Sequence, residues 1–322
     1  MRTPRWITLA ALAATAALTA ACGASNASSS FTLRLAGIGP GNRLSGAFGY
    51  LQSKGRLLPL LRAAGVKDVK IYTFPNGPDL NQALAGNALD VAIYGDTPAL
   101  VARGAGRPTR LLGIAGIDTD ADIIARKGGP AALRDLRGKK IAVQTGSYMH
   151  RYLLGALADA HVAPVKIVHV YQTDLDAPLA RGDIDAAAVT PPYAEEYRRK
   201  GYQIIDVASR DHPDYRGTGA AVATARFLKA HPDFVAVWDR AQAEAVRAAK
   251  ANWADYLSFS AVVTHFPADI TKQVTLPDQL NAEPFPAAGL KLLNGTQRFL
   301  VQEKFIKRNF SIDDWIITAK GK

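Results

Sequence analysis

The sequence predicts an α/β protein whose sheets are mainly parallel and flanked by helices. Segments with the period of strands alternate with segments that favour helices, at the spacing of βαβ units. Two series of such units follow each other. In each, a short helix ends at a glycine, Gly86 or Gly182, before a strand at 90–93 or 185–189. The composition, 48% hydrophobic and 21% charged, is typical of a globular protein. About 300 residues follow the N-terminal segment, enough for two cores.

The first series begins at residue 31, where apolar and polar residues alternate over 31–36 as in a half-buried strand. The spacing of leucines predicts one continuous helix over 48–64. The other predicted elements of this series are strands at 69–74, 88–93, 110–115 and 122–125, and helices at 80–85 and 98–103.

The second series begins near residue 132 and ends in a helical region. Its predicted elements are a helix and turn at 133–140, strands at 141–143, 165–170, 186–189 and 220–225, and helices at 148–160, 177–181, 232–259 and 289–304. The helical region ends near Trp315.

The N-terminal segment predicts export. Arg2 and Arg5 precede an apolar run over 6–21, which is short for a bilayer span of about 20 residues and has the layout of a secretory signal. The run ends at Cys22, the only cysteine, in a context that resembles a bacterial lipoprotein signal. We therefore expect a signal peptide over 1–21, a lipid on Cys22 and a flexible tether over 22–30. The alternative is a plain signal peptide followed by a chance cysteine.

The charge pattern argues against nucleic acid as a partner. The formal net charge is +11, but the basic residues are scattered and no basic run is interleaved with aromatics. Such a surface favours anionic ligands or an anionic membrane face. The sequence also lacks a His-x-x-x-His pair, a phosphate-binding Gly-rich loop ending in lysine, and a Gly-x-Ser-x-Gly elbow. We therefore expect no cofactor, no metal and no enzymatic activity.

Four segments of the chain resemble the solute-binding proteins of ABC importers for nitrate, sulfonate and taurine, above all the aliphatic-sulfonate binders. They are 74–98, which begins Phe-Pro-Asn-Gly-Pro-Asp and ends Gly-Asp-Thr-Pro; 136–150, which contains Leu-Arg-Gly-Lys-Lys-Ile-Ala-Val-Gln-Thr-Gly-Ser; 179–193, which begins Leu-Ala-Arg-Gly-Asp-Ile-Asp-Ala; and 299–315. They occur in the order and at the spacing of that family.

The resemblance implies the two-lobe fold of a type II periplasmic binding protein, with the ligand between the lobes. We expect crossovers near 117–120 and 215–219, a discontinuous first lobe over 31–117 and 219–322, and a second lobe over 118–218. The implied function is capture of a small organic anion, most simply an aliphatic sulfonate, for delivery to an ABC permease. The protein would act as a monomer in the periplasm or on the outer face of the membrane.

Thr97 and Ser147 are the first candidates for ligand contact. Each follows a strand-to-helix loop that contains glycine and precedes a helical segment. Thr97 suits an N-cap and Pro98 the first helical position. Helix N-termini present unpaired amides and a positive dipole end, so two of them facing one cleft could hold an anion. The alternative is that both residues merely cap their own helices.

Residues near these two complete the candidate site. Asp96 either contacts the ligand or accepts amide hydrogen bonds that shape its loop. His150 lies on the same helix face as Ser147 and either bonds the ligand or packs beside the cleft. Tyr148 either packs on an organic tail or lies in an interface. The remaining candidates are Asn42, Gly95, Gly146, Thr190, Tyr193 and Thr218.

The chain departs from the sulfonate binders at 190–193. Those proteins commonly carry a tryptophan and an aspartate before a Pro-Tyr pair, whereas this chain has Thr190-Pro191-Pro192-Tyr193. The resemblance therefore implies a wider pocket and a bulkier tail. Nitrate, taurine, a carboxylate and a thiamine-pyrimidine precursor stay open as ligands. An enzyme related to thiamine-pyrimidine synthesis is the alternative of another class.

Overall fold

The computed structural model describes residues 30–319. The ten strands of that range are β1 (Phe31–Ile38), β2 (Val66–Phe74), β3 (Val91–Gly95), β4 (Thr109–Thr119), β5 (Asp122–Ala125), β6 (Lys140–Val143), β7 (Lys166–His169), β8 (Ala186–Val189), β9 (Gln203–Val207) and β10 (Gly217–Thr224). Its α-helices are α1 (Gly46–Ser53), α2 (Leu57–Leu61), α3 (Gly77–Ala85), α4 (Asp96–Gly104), α5 (Tyr148–Asp159), α6 (Asp176–Arg181), α7 (Pro191–Arg199), α8 (Ala208–Asp211), α9 (Ala225–Ala230), α10 (Phe234–Ala251), α11 (Trp253–Thr264), α12 (Ala268–Val274), α13 (Ala287–Gln302) and α14 (Ile312–Trp315).

The strands form two five-stranded sheets, each at the centre of one lobe. The first sheet has the order β2-β1-β3-β10-β4 and the second the order β7-β6-β8-β5-β9. In each sheet four strands share one direction, and the fourth in the order, β10 or β5, runs antiparallel to both neighbours. The sheets are thus mixed. Each antiparallel strand is the first that the chain adds after crossing from the other lobe, a property that no local sequence pattern encodes.

The chain crosses between the sheets twice, at neighbouring places. The first crossing runs from β4 to β5 through residues 120–121, and the second runs from α8 to β10 through residues 212–216. The two strands that flank the crossings pair with each other, with Gly217 opposite Thr119. The crossings therefore form one connection between the lobes.

Apolar clusters cover both faces of each sheet, which gives each lobe three layers. In the first lobe α1, α2 and α10 pack on one face around Trp238, which is fully buried and stacks on Phe48 at 4.3 Å. Helices α3, α4 and α13 pack on the other face, around the buried Trp315. In the second lobe α5 covers one face, and α6 and α7 cover the other.

The helix predicted over 48–64 is wrong as a single element. The structure breaks it after Ser53, and Gly55 adopts φ +69°, a left-handed conformation that favours glycine and ends a helix. Helix α2 and a short 3₁₀ turn at Arg62–Ala64 follow.

No helix within residues 30–319 is long and apolar enough to cross a bilayer. Cys22 and the preceding segment lie outside the described residues.

Candidate functional site

A cavity of about 320 Å³, here called the cleft, lies between the two sheets. On the side of the first sheet it is lined by Ile38, Ser45, Gly46, Pro75, Asn76, Gly77, Ile93, Tyr94, Gly95, Pro98, Ala115, Gly116, Thr119, Thr218 and Gly219, and on the side of the second sheet by Gln144, Ser147, Tyr148, Met149, Gln172 and Thr190. Strands β1, β3, β4, β6 and β8 all end at or next to these residues. Carboxyl ends of parallel strands are where open α/β sheets bind ligands.

Five helices begin at the cleft. Their N-cap residues, Ser45 of α1, Asn76 of α3, Gly95 of α4, Ser147 of α5 and Thr190 of α7, all line it. Within the described part of the chain, no Asp, Glu, Lys, Arg, His or Cys lines the cleft. The positive dipole ends of these helices therefore face a lining without formal charge, with the buried Asp96 carboxylate behind it at the start of α4. Pro78 of α3 and Pro191 and Pro192 of α7 have no N–H, so the unpaired amides come mainly from the starts of α1, α4 and α5.

Ser147 caps α5 and faces the cleft. Its Oγ accepts a hydrogen bond from the backbone amide of His150 at 3.2 Å, which fits the expected capping role. Its hydroxyl proton has no acceptor within residues 30–319, so it is available to a ligand oxygen. Gly146 turns the chain into the helix with φ +81° and lies beside the cleft without lining it.

Thr97 does not cap α4, which corrects the sequence prediction. The helix begins two residues earlier, with Gly95 as the N-cap and Asp96 as its first residue. Thr97 is buried, and its hydroxyl donates to Asp96 Oδ1 at 3.0 Å instead of reaching the cleft. Glycine is about as favourable as threonine at an N-cap, so the presence of Thr97 did not determine where α4 begins. Gly95 replaces Thr97 as the cleft residue at this helix start.

Asp96 is a buried acceptor, and the structure places it behind the cleft lining. It is fully inaccessible to solvent. Its Oδ1 accepts the amide of Thr97 at 2.5 Å, and its Oδ2 accepts the amide of Thr218 at 3.0 Å and the hydroxyl of Thr296 at 3.1 Å. Of the two roles open from the sequence, the structure shows the one that shapes the loop.

His150 also lies outside the cleft lining. Its Nδ1 accepts a hydrogen bond from the amide of Gly146 at 3.2 Å, and its ring packs edge-on against Phe305 at 5.7 Å. Burial lowers the pKa of His150, which favours the neutral ring that this acceptor role requires. Its place in the structure is that of a residue that holds the loop before α5.

Tyr148 joins the cleft to the connection between the lobes. Its hydroxyl donates to the carbonyl oxygen of Asp120 in the first crossing at 3.2 Å. Its ring packs against Gly217, the first residue of β10. A Cβ added to Gly217 would lie 3.2 Å from a ring atom of Tyr148. Burial raises the pKa of Tyr148, so the phenol stays protonated. Tyr148 therefore lines the cleft and contacts both the first crossing and the start of β10, which follows the second crossing.

The other predicted residues divide between the cleft and its surroundings. Thr190, Thr218 and Gly95 line the cleft. Asn42 does not: it is exposed, and its amide donates to Thr73 Oγ1 at 3.0 Å.

Tyr193 lines a second cavity of about 670 Å³ nearer the surface, here called the outer chamber. This chamber is lined by Ile38, Gly39, Pro40, Gly41, Ser45, Thr73, Pro75, Gln144, Tyr171, Gln172, Thr173, Tyr193, Glu196, Val263, Thr264, His265 and Phe266.

Two glutamines that the sequence reasoning did not select lie between the cleft and the outer chamber. Gln144 Nε2 donates across the lobes to the carbonyl of Pro75 at 3.3 Å, and its Oε1 accepts from Gln172 at 3.1 Å. Gln172 Oε1 in turn accepts the amide of Thr190 at 2.6 Å. Gln144 directly follows β6, so a search for polar residues at strand ends would have found it. Asn76 and Ser45 carry a similar signal, since each precedes a helix.

A family model described as NMT1/THI5 like matches residues 61–254, more than half of the chain. The chain belongs to the NMT1/THI5-like family. Within this family it is similar to an aliphatic sulfonates-binding protein of Escherichia coli, 32% identical over 48% of this chain and 48% of that protein. A second of that name, from Bacillus subtilis, is 27% identical over 70% of this chain and 69% of that protein. The first alignment thus spans about half of that relative's length.

Solved structures show that this NMT1/THI5-like chain has the expected two-lobe periplasmic binding protein fold. An alkanesulfonate-binding protein from Xanthomonas axonopodis pv. citri, bound to MOPS, superimposes with a TM-score of 0.74 at 20% identity, covering 91% of this chain and 100% of that one. The desulfurization enzyme DSZB superimposes with a TM-score of 0.69 at 19% identity, covering 89% and 96%. The fold is therefore shared by binding proteins and an enzyme.

Proposed function

We propose that this protein is the extracytoplasmic solute-binding component of an ABC importer and captures an aliphatic sulfonate in the cleft. One observation carries the proposal: five helix N-termini meet at a cavity lined, within the described residues, by no charged side chain. Such a cavity favours an anion through amide hydrogen bonds and helix dipoles. It leaves no ion pair to break when the ligand is handed to a permease.

The chemistry of the cleft lining favours a sulfonate among small anions. A sulfonate spreads one charge over three oxygens, so it can accept from several amides and hydroxyls at once. The same cavity carries apolar side chains, Ile38, Ile93, Ala115 and Met149, against which an alkyl tail can pack. The names of the two relatives and the MOPS complex agree with this ligand class.

Binding fits the lining better than catalysis. The titratable side chains in the described lining are Tyr94 and Tyr148, and burial raises the pKa of both. Neither can act as a general base near neutral pH. The relatives that share most sequence are named as binding proteins, whereas the enzyme DSZB resembles this chain in fold at 19% identity.

The proposal includes the location of the protein and its attachment to the membrane. We place the protein in the periplasm or on the outer face of the membrane, held by a lipid on Cys22 after removal of residues 1–21, with 22–30 as the tether. It would act as a monomer, with a first lobe over 31–117 and 219–322 and a second over 118–218. A relative named as a taurine-binding periplasmic protein, 26% identical, agrees with this location.

Isothermal titration calorimetry of the purified protein tests the ligand class. We expect 1-propanesulfonate to bind, with nitrate, butanoate, butanamide and a neutral pyrimidine binding at least tenfold more weakly. Ser147→Ala should weaken 1-propanesulfonate by about ten- to a hundredfold, since a hydrogen bond to a charged group contributes about 1.5–3 kcal/mol. The matched control Ser258→Ala, on the exposed face of α11, should not change it. Selective binding of the amide or the pyrimidine would overturn the anion proposal.

A further inference from the structure

The outer chamber continues from the cleft toward the solvent. The two cavities share Ile38, Ser45, Pro75, Gln144 and Gln172 in their linings. The hydrogen bonds from Gln172 to Gln144 and from Gln144 to Pro75 form the partition between them. Both glutamines have rotatable side chains and no covalent constraint, so a ligand that starts in the cleft can extend past them. The chamber, at about 670 Å³, is twice the size of the cleft.

The outer chamber differs from the cleft in its chemistry. Its wall contains Tyr171 and an edge-to-face pair, Tyr193 and Phe266, with ring centroids 5.0 Å apart across the two lobes. It also contains one carboxylate, Glu196, and one imidazole, His265, and no lysine or arginine within the described residues. A chamber with aromatic faces and a carboxylate favours a cation, unlike the five helix N-termini of the cleft.

Glu196 is free to bind such a cation because its neighbour takes the nearby arginines. Glu195 accepts from both Arg198 and Arg199 at 2.6 and 3.1 Å, which lowers its pKa to about 2. Arg199 also reaches across the lobes to Asp269 at 2.7 Å. The carboxylate of Glu196 makes no hydrogen bond or ion pair within residues 30–319. It lies one helical turn after Tyr193, on the same face of α7.

We infer that the outer chamber binds the cationic far end of a zwitterionic sulfonate, with Glu196 as the counter-charge and Tyr193 and Phe266 as the aromatic faces. This inference rests on the proposed function, since the sulfonate end must occupy the cleft. The ligand class is an aminoalkanesulfonate long enough to pass the Gln144–Gln172 partition. The contact of its ammonium group with the outer chamber distinguishes this ligand from an unsubstituted alkanesulfonate of the same length.

Calorimetry with two matched ligand series tests this inference. One series is unsubstituted alkanesulfonates of two to eight carbons, and the other carries a terminal ammonium on the same chains. We expect the ammonium to strengthen binding about three- to tenfold above some chain length, as a half-exposed ion pair combined with a cation–π contact would. In shorter chains the ammonium should not strengthen binding, because it then lies inside the cleft and cannot reach Glu196.

Variants at two glutamates assign the effect. Glu196→Gln should abolish the gain from the ammonium and leave unchanged the binding of unsubstituted alkanesulfonates too short to leave the cleft, whereas the exposed Glu303→Gln should preserve the gain. An ammonium that never strengthens binding, or a gain that survives Glu196→Gln, overturns the outer-chamber inference while plain alkanesulfonates still bind. If no alkanesulfonate binds the wild-type protein, the proposed function fails and this inference fails with it.

Discussion

Asp96 Oδ2 accepts a hydrogen bond from the backbone amide of Thr218 at 3.0 Å, although 122 residues separate the two in the chain. The bond joins the start of α4 to β10, just beyond the second crossing between the lobes. Within that crossing, the carbonyls of Tyr215 and Arg216 accept hydrogen bonds from the buried Arg151 of α5 at 2.8 and 2.9 Å. One buried side chain from each lobe therefore fixes the same connecting segment.

Removing Asp96 should destabilise the fold strongly. Asp96→Ala leaves the buried amide of Thr218 and the hydroxyl of Thr296 without an acceptor, and each such loss costs about 1–3 kcal/mol. We expect the free energy of unfolding to fall by about 3 kcal/mol or more in urea titrations. Thr296→Val, which removes one donor and keeps the acceptor, should lower it by about 1 kcal/mol. The exposed Asp68→Ala should leave it within about 0.5 kcal/mol, and equal losses in Asp68→Ala and Asp96→Ala would refute the role of the buried carboxylate.

Asp122 should make stability fall as pH rises toward neutrality. Burial, and then repulsion from Asp120, raise the pKa of Asp122 to about 7, whereas an unfolded aspartate titrates near 3.9. Between about pH 4 and 7 the folded state therefore binds more protons than the unfolded state, and stability decreases with pH. One such group changes the free energy of unfolding by at most about 1.4 kcal/mol per pH unit.

The test of this prediction is a comparison of variants across pH. Asp122→Asn should have a shallower downward slope between pH 4 and 7 than the wild type, so that its free energy of unfolding relative to the wild type rises with pH. Asp239, whose pKa burial raises to about 6, adds a downward slope to both proteins. The exposed Asp214→Asn should keep the wild-type slope. A wild-type slope retained in Asp122→Asn would show that other groups set the pH dependence.

Thr190 should control the size of ligand that the cleft admits. It lines the cavity at the start of α7, and its side chain makes no capping bond that a substitution would break. Thr190→Trp should fill part of the roughly 320 Å³ cavity and weaken bulky sulfonates such as MOPS by tenfold or more, with a smaller effect on ethanesulfonate. Thr190→Ser should bind both normally. Equal weakening of the small and the bulky ligand by Thr190→Trp would contradict a steric role.

Cys22 should determine whether the protein is attached to the membrane. We expect Cys22→Ala to move the protein from the membrane fraction to the soluble fraction of the exporting cell, as judged by fractionation and immunoblotting. Mass spectrometry of the wild-type N-terminus should find a diacylglycerol-modified Cys22. Retention of the Cys22→Ala protein in washed membranes would exclude the lipid as its anchor.

Much of the fold could be predicted from the sequence because strand and helix periods are local. The strands at 122–125, 141–143 and 186–189 lie within one residue of their predicted bounds. The direction of a strand depends on distant parts of the chain, so the local sequence pattern could not predict that β5 and β10 run antiparallel to their neighbours. The prediction of one helix over 48–64 was wrong because Gly55 adopts a left-handed φ, which ends the helix although the leucine spacing continues on both sides of it.

Most of the correctly predicted cleft residues lie at the starts of helices. Ser147, Gly95 and Thr190 were within reach because each ends a strand-to-helix loop. The N-cap role predicted for Thr97 was wrong, and the choice between the two roles open for Asp96 depended on its partners Thr218 and Thr296, far away in the chain. Gln144 was within reach because it follows β6, but its hydrogen bonds to Gln172 and, across the lobes, to Pro75 depend on the tertiary fold, so the sequence alone could not reveal the partition.

The most direct test of the central claim is a crystal structure with 1-propanesulfonate, measured at a wavelength where sulfur scatters anomalously. The sequence holds three sulfur atoms, in Met1, Cys22 and Met149, and Met149 lines the cleft, so the ligand sulfur is the peak that a ligand-free crystal lacks. We expect an anomalous peak in the cleft, with sulfonate oxygens about 2.7–3.2 Å from backbone amides at the starts of α4 and α5 and from Ser147 Oγ. A peak outside the cleft, or a sulfonate held by lysine or arginine side chains, would contradict the claim.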